Sequence, residues 1–329
     1  MAPWLFVRPL GISTIAALTI AIIAVSSSAP LTVYAAAPAL AIAFYRNAGS
    51  IAVIGPASLT RRNRVQLAGL LRGEGRRTGL VCVLAGVTLA AHFGTWLPST
   101  KLTTVANATA LVATQPVWAA IISVIRRIPV ATSTWIGMAV AVTGVVLATG
   151  ADFTTSGHAV AGDLLAVFGA AMAAIYTTFG ERARMTINTT TYTLLCYSTC
   201  AVTLLIVDVC AGVRMNGYTV RTWGAILGLV IGAQLLGHSM INFSLRRVSA
   251  TAVAILLLLE VPGSIVLGWV MLGQVPAARS VPGLAIGVIG VAITVIGSAS
   301  AANTASAAPA AVDSPLPAES LEVNTSTIT

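Results

Sequence analysis

Residues 248–272 read VSATAVAILLLLEVPGSIVLGWVML, a 25-residue run in which Glu260, at the middle, is the single charged side chain. The run is long enough to cross the hydrocarbon core of a bilayer as a helix. A carboxylate at that depth is costly, so we expect Glu260 to face protein or water and not lipid. Pro262 lacks a backbone N–H and disturbs the helix beside the acid, which frees backbone polar groups there. The stretch therefore predicts a functional helix of a polytopic membrane protein.

The composition excludes an ordinary soluble domain. Of the 329 residues 57% are hydrophobic and 8% are charged, which leaves too little polar surface to cover a soluble fold of this size. The four cysteines lie inside apolar runs without metal or disulfide spacing, so we predict small core residues and neither a metal site nor a cofactor. They are Cys82, Cys196, Cys200 and Cys210.

The hydropathy pattern predicts an all-α polytopic membrane protein with ten transmembrane helices. The first run, residues 10–28, also fits a secretory signal peptide, but a first span agrees better with the alternation downstream. We expect a break at residues 26–30 to separate it from a second span, in which Arg46 is the one cation at membrane depth. Eight further spans are predicted at 78–100, 102–125, 128–151, 164–180, 185–207, 222–245, 248–272 and 280–298.

The distribution of cations predicts the orientation. With the N-terminus in the cytoplasm, thirteen Lys and Arg residues fall in cytoplasmic segments and four fall outside, namely Lys101, Arg214, Arg221 and Arg279. This bias follows the positive-inside rule, so we expect both termini in the cytoplasm and a location in the inner or plasma membrane. The net charge of +9 thus reflects orientation and predicts no nucleic-acid partner.

The chain also carries traces of an internal duplication. A shift of 146 residues superimposes His92 on His238 and Pro116 on Pro262, along with several glycines. Because five spans is an odd number, the two halves would have inverted topology, as in many secondary transporters. We expect the first five-helix repeat at 1–150, a connecting loop at 151–157, the second repeat at 158–298 and a disordered cytoplasmic tail at 299–329.

Two phrases carry a resemblance to a known family: GDLLAVFGAAMAAIY at 162–176 and WIGMAVAVTGVVLATG at 135–150. With the ten-span pattern, they resemble the EamA-type branch of the drug/metabolite transporter superfamily over about residues 8–298. The resemblance implies a carrier of metabolites, often an exporter of amino acids or related small molecules. The chain departs from the family pattern where acids are common at the start of the fifth and tenth spans. At these positions this chain has Arg127, Ile128, Pro129 and Gln274. Roles that the acids have in relatives therefore do not carry over to this chain.

Polar residues spaced by about one helical turn predict a substrate cavity. The third span carries His92 and Trp96 on one face, and the matching eighth span carries Gln234, His238 and Asn242. The fourth span adds Asn107 and Thr114, the latter at the position equivalent to Glu260. We expect these seven residues to bind a small-molecule substrate, although hydrogen bonds between helices would explain the same pattern.

Glu260 and Arg46 are predicted to couple transport to protons. The two residues could form an ion pair, or Glu260 could bind a proton or a substrate amine while Arg46 binds a carboxylate or extends to the interface. No phosphate-binding loop and no catalytic constellation is present, which argues against an ATP-driven pump and an enzyme. A channel, a non-transporting scaffold and a carrier of another metabolite class remain alternatives. The sequence leaves open whether the protein forms a homodimer.

Overall fold

The structure, a computed structural model, describes residues 11–70, 72–73, 75–103, 105–149, 157–275, 278 and 280–307. Every regular element within these ranges is helical, apart from an isolated bridge residue at Val248. A π-helical segment (Val230–His238) and a 3₁₀ segment (Leu257–Leu259) interrupt the eighth and ninth predicted spans. The α-helices are α1 (Ile12–Ser26), α2 (Ser28–Tyr34), α3 (Ala39–Ser58), α4 (Arg61–Leu70), α5 (Gly75–Leu102), α6 (Val105–Val112), α7 (Gln115–Ile125), α8 (Thr132–Thr149), α9 (Gly157–Arg184), α10 (Thr189–Cys210), α11 (Val220–Leu229), α12 (Ser239–Ser244), α13 (Ala250–Leu256), α14 (Glu260–Leu272) and α15 (Ser280–Ala307).

In the described part of the chain, seven helical stretches are long and apolar enough to cross a membrane. Shorter apolar stretches occur in α8 and α15, and α3 is 20 residues long with Arg46 and Asn47 near its middle. A count of ten crossings therefore stays a prediction. The seven are Ile12–Tyr34, Gly75–Leu102, Asn107–Ile125, Gly157–Arg184, Thr189–Cys210, Val220–Ser244 and Ala250–Leu272.

The expected break between the first two spans was misplaced. Residues 26–30 form a kink inside a single stretch, Ile12–Tyr34, and the chain turns at residues 35–38 instead. Pro30 is tolerated because it lies in the first turn of α2, where a backbone N–H is not needed. The real boundary is marked by Pro38, which has an extended conformation and precedes α3.

Two other expectations also differ from the structure. The predicted tail begins at 299, but α15 continues to Ala307, because alanine strongly favours a helix and the run 299–307 is rich in it. Residues 308–329 of that tail, and residues 151–156 of the predicted connecting loop, lie outside the described residues. Cys82, Cys196 and Cys200 are buried as expected, whereas Cys210 is exposed at the end of α10.

Helices α8 and α15 pack against each other through glycine. A Cβ atom at Gly144 would overlap the backbone of Gly287, and one at Gly290 would overlap the backbones of Gly137 and Ala141. Small residues allow such close approach and are the usual means of joining helices in a bilayer. The glycines of these two helices thus allow their backbones to pack closely.

Polar contacts at the helix ends define two ends of the bundle. At one end, Lys101 Nζ donates to the Ala35 and Ala37 carbonyls at 3.0 and 2.6 Å, and the Arg221 guanidinium lies 4.0 Å from the Tyr34 ring centre. At the other end, Arg126 forms an ion pair with Glu181 at 3.6 Å. Arg247 donates to Thr14 at 3.2 Å at this second end. Charged side chains thus cap an apolar middle from both sides.

Candidate functional site

A central cavity of about 50 Å³ lies among the broken helices, and this volume has room for water or a small ligand. Its wall comes from the α1–α2 kink, α5, the α6–α7 junction, α9, the end of the π-helical segment with α12, and the α13–α14 junction. Apolar side chains such as Val25, Ile241 and Leu258 form much of this wall. The polar residues on it are Ser28, His92, Trp96, Thr109, Gln115, Tyr176, Thr177, His238 and Glu260.

Helix breaks open this cavity, and proline causes two of them. Pro116 and Pro262 cannot donate to the carbonyls four residues earlier, and the chain leaves α-helical geometry at 113–114 and at Leu257–Leu259. Pro30 likewise leaves the Ser26 carbonyl without its helical donor, and the Ser264 hydroxyl donates to it at 3.0 Å. Gly263 permits this contact, because a Cβ atom there would overlap the Ser26 side chain.

The two histidines predicted as a pair face the same space. His92 and His238 both line the cavity, with ring centres 6.4 Å apart. The His92 ring is stacked on Trp96, with centres 5.6 Å apart and an interplanar angle of 7°. Its Nδ1 lies 2.8 Å from the Gly169 carbonyl, which can only accept, so Nδ1 carries the hydrogen. In the neutral ring Nε2 is then the acceptor.

Arg46 and Gln234 lie behind the cavity wall. The Arg46 guanidinium is fully buried; its Nε donates to Gln234 Oε1 at 2.9 Å and its Nη1 donates to Ser28 Oγ at 3.1 Å. The Phe93 ring centre lies 4.1 Å from the guanidinium carbon, a cation–π contact. Gln234 also donates to Asn47 at 3.1 Å. Neutral groups therefore hold this charge inside the protein.

Asn242 belongs to a second buried network. Tyr176 donates to Asn242 Oδ1 at 2.8 Å, and Asn242 Nδ2 donates to the Tyr197 hydroxyl at 3.3 Å. Tyr176 lines the cavity, whereas Asn242 and Tyr197 do not. Asn242 thus fixes a cavity residue from behind.

The π-helical segment explains why one predicted stripe is divided. Gln234, His238 and Asn242 were expected to share a face on the basis of α-helical spacing. Hydrogen bonds from residue i to i+5 change the angle between residues four apart. His238 lines the cavity, while Gln234, within the π-helical segment, and Asn242, in α12, bond to the surrounding helices.

The structure does not bring Thr114 or Asn107 into the cavity wall. The Thr114 hydroxyl donates to the Leu111 carbonyl at 2.7 Å, in the break between α6 and α7. Its neighbour Gln115 lines the cavity instead, as does Thr109. Sequence reasoning missed both, along with Ser28, Tyr176 and Thr177. For two of these positions the sequence contains a signal. Pro116 breaks the helix next to Gln115, and the phrase at 162–176 ends in Tyr176.

Glu260 and Arg46 are not in contact. Among the described residues, Arg126–Glu181 is the one ion pair whose N and O atoms lie within 4 Å, and it includes neither Glu260 nor Arg46. Glu260 is partly buried and faces the cavity at the start of α14. Ser28 is common to both surroundings, because it lines the cavity with Glu260 and accepts a hydrogen bond from Arg46.

The arrangement suits the binding of a small molecule. It combines one carboxyl group, several aromatic faces and a few neutral polar groups in a mainly apolar wall, which is typical of ligand sites. A crystal structure of another protein superimposes with a TM-score of 0.71 over 88% of this chain and 98% of that chain, at 19% sequence identity, which shows a shared fold. Comparison with curated protein sequences returned no significant match.

The family comparison covers most of the chain. The model of the EamA-like transporter family matches it twice, over residues 10–150 and 160–296, so two repeats of one unit build the molecule. This family consists of membrane transporters of small molecules, in agreement with the apolar helices and the cavity between them. The chain belongs to the EamA-like transporter family.

Proposed function

We propose that this chain is a secondary transporter that exports a small metabolite, an amino acid or a related compound, by alternating access in the inner or plasma membrane. The central cavity is the observation that carries the proposal. Its wall includes residues from both matched regions, 10–150 and 160–296, and it lies where several helices are broken. Secondary transporters commonly bind substrate between repeats at discontinuous helices.

The proposed architecture has ten crossings in two inverted five-helix repeats, 1–150 and 158–298. Equivalent helix pairs support it. A shift of 146 residues relates α5 to Val220–Ser244 and α9 to Ile12–Tyr34. In one pair α5 packs on α9, and in the equivalent pair the π-helical segment of Val220–Ser244 packs on α1. A carrier with this symmetry can open to either side by moving one half against the other.

We also propose that Glu260 takes up and releases a proton during the cycle. Burial disfavours the charged carboxylate, whereas approach of a cation favours it. Arg46 and Glu260 are apart in this conformation, and Arg46 donates to Ser28, which lines the same cavity as Glu260. A movement that brings the two charges together would promote proton release, and their separation would promote uptake.

Solute counterflow in proteoliposomes tests the carrier. Liposomes containing the purified full chain are loaded with unlabelled solute, and uptake of radiolabelled solute is followed, using the standard amino acids and, in parallel, sugars and organic acids. A carrier gives saturable, transient accumulation that unlabelled solute abolishes. Flux proportional to concentration would indicate a channel, and absence of flux for every solute would contradict transport by this chain.

Glu260→Gln tests the coupling in the same vesicles. The amide cannot exchange a proton, so we expect counterflow to survive while accumulation driven by a pH gradient is lost. Glu181→Gln is the matched control, since Glu181 lies outside the cavity and its partly exposed ion pair contributes at most about 1 kcal/mol. If the Glu260→Gln protein accumulates solute as the parent does, proton coupling through this residue is refuted.

A further inference from the structure

A strongly basic surface lies on α4 and on the chain that leads into the first turn of α5. Six arginines fall between residues 61 and 77, and Glu74 is the one acid in that stretch of sequence. All six side chains are exposed, and among the described residues none of their guanidinium groups has an ion-pair partner. So much unpaired positive charge attracts anions. The arginines of this basic surface are Arg61, Arg62, Arg64, Arg72, Arg76 and Arg77.

Hydrogen bonds hold one face of α4 against the rest of the protein. Asn63 Nδ2 donates to the Ala57 carbonyl at 2.7 Å, and Asn63 Oδ1 accepts from Asn188 Nδ2 at 2.8 Å. The backbone N–H of Asn188 donates to Gln66 Oε1 at 3.2 Å. Leu70, on the same face by helical spacing, is buried. The orientation of α4 is therefore fixed, and its opposite face is turned away from the bundle.

Two glycines fix the end of α4 on the start of α5. A Cβ atom at Gly75 would overlap the carbonyl oxygen of Gly69, and one at Gly79 would overlap the carbonyl oxygen of Leu70. The two helices therefore meet backbone to backbone. This contact keeps the arginines of α4 close to those at the start of α5, so that they form one surface.

Exposed apolar side chains lead along α5 to this basic surface. Leu80, Leu84 and Val87 are exposed and are spaced by three or four residues, so they lie on one face of the helix. In a membrane-spanning helix such a face contacts lipid. Arg77 continues the same face by three residues, about 5 Å further along the axis. We therefore place Arg77 where the hydrocarbon ends and the headgroups begin.

The outward face of α4 combines an apolar side chain with arginines. By helical spacing Val65 lies opposite Asn63, and its side chain is 65% exposed. Arg61 and Arg64 lie on either side of it along this face. Leu59, which immediately precedes α4, is 71% exposed. Helices that carry apolar and basic residues in this way lie in the boundary between headgroups and acyl chains.

We propose that the basic surface of α4 and the start of α5 binds the headgroups of anionic phospholipids in the adjacent leaflet. A guanidinium group forms paired hydrogen bonds with phosphate oxygens, and Leu59 and Val65 contact the upper part of the acyl chains. A lipid supplies both kinds of contact, whereas an acidic protein or a nucleic acid leaves the apolar side chains without a partner. The inference requires a membrane location only and is independent of the proposed transport.

Native mass spectrometry of the purified full chain in a mild detergent measures the lipid preference. The protein is mixed with equal amounts of phosphatidylglycerol and phosphatidylcholine that have identical acyl chains. Both lipids have a phosphate, but the choline group cancels its charge. We expect the first bound lipid to be phosphatidylglycerol with a preference of roughly tenfold or more, because each arginine near anionic lipid strengthens binding about fivefold.

Matched variants locate the site. The triple variant Arg61→Gln, Arg62→Gln and Arg64→Gln should lower the preference roughly fivefold or more and leave phosphatidylcholine binding unchanged. The control triple variant is Arg127→Gln, Arg182→Gln and Arg246→Gln. It removes the same charge from exposed side chains at the same end of the bundle but outside α4, so it should keep the preference of the parent.

Several results would overturn the inference. These are equal binding of the two lipids by the parent, an unchanged preference in the α4 variant, and an equal loss in both triple variants, which would indicate a diffuse effect of charge. Displacement of phosphatidylglycerol by polyglutamate at equal charge would assign the surface to an acidic protein instead. If the α4 variant does not fold, the double variant Arg76→Gln and Arg77→Gln decides by the same comparison.

Discussion

Arg46 shows how a charge is held inside a membrane protein without a counter-ion in contact. Its side chain is fully buried, and its partners are a glutamine, a serine and the face of Phe93. A buried charge is tolerated only when such groups replace its hydration. Gln234 is therefore occupied by Arg46 and Asn47, which argues for a supporting role and against direct contact with substrate.

This role predicts that Gln234→Leu lowers stability and not substrate affinity. The change leaves Arg46 Nε without its acceptor, and loss of a hydrogen bond to a charged group costs roughly 1.5–3 kcal/mol. We expect a lower Tm in detergent and an unchanged Kd for the folded fraction. Ser50→Ala, which removes only a bond to the Arg46 carbonyl on the same helix, is the control. A stable Gln234→Leu protein that no longer binds substrate would place Gln234 in the binding site instead.

At the scale of the helices, proline and serine act together to break and re-pair the backbone. The Ser26 carbonyl, released by Pro30, accepts from Ser264, and Gly263 allows α14 to approach at this point. Such pairing satisfies polar groups that lipid could not. The break before Pro30 thus keeps the freed Ser26 carbonyl hydrogen-bonded inside the protein.

The α8–α15 contact supplies a prediction at this scale. Gly290→Ala should be destabilising by about 1–3 kcal/mol, since the added methyl group overlaps the backbone of the facing helix. Gly224→Ala is the matched control, because it also lies within a helix but has no atom within 4 Å of the added carbon. We expect the control to be neutral or up to about 1 kcal/mol more stable, as alanine favours a helix. Equal Tm values for the two proteins would contradict the packing role.

For the whole molecule, the two polar ends of the bundle agree with the charge bias. The end that contains Lys101 and Arg221 also contains the turn at 35–38, and the end with Arg126 and Arg247 contains the start of α1. The second end has far more cations than the first, because it includes the segment with the six arginines between 61 and 77. Asn63 of this segment accepts a hydrogen bond from Asn188 at 2.8 Å, which places the segment at this end. By the positive-inside rule we predict that this is the cytoplasmic end.

Reporter fusions test that topology. Fusions after Arg77 and after Thr329 should both report the cytoplasm, and a fusion after Gly217 should report the opposite side. The measurement is paired activity of reporters that work on only one side of the membrane. An external signal from either of the first two fusions would refute the inverted arrangement of the repeats.

The sequence by itself determined the membrane class, the two-repeat family and the orientation of Glu260 towards protein or water and not lipid. These conclusions follow from features that are read directly along the chain: its hydropathy, its charge asymmetry, and the proline and histidine positions that repeat after 146 residues. Only the tertiary structure decided which polar groups face the cavity. A π-helical segment lies between Gln234 and His238, of which only His238 lines the cavity, and at the break before Pro116 Gln115 lines the cavity in place of Thr114. The direction of a side chain depends on local departures from helical spacing and on packing between distant helices, and neither is encoded in a residue's own hydropathy.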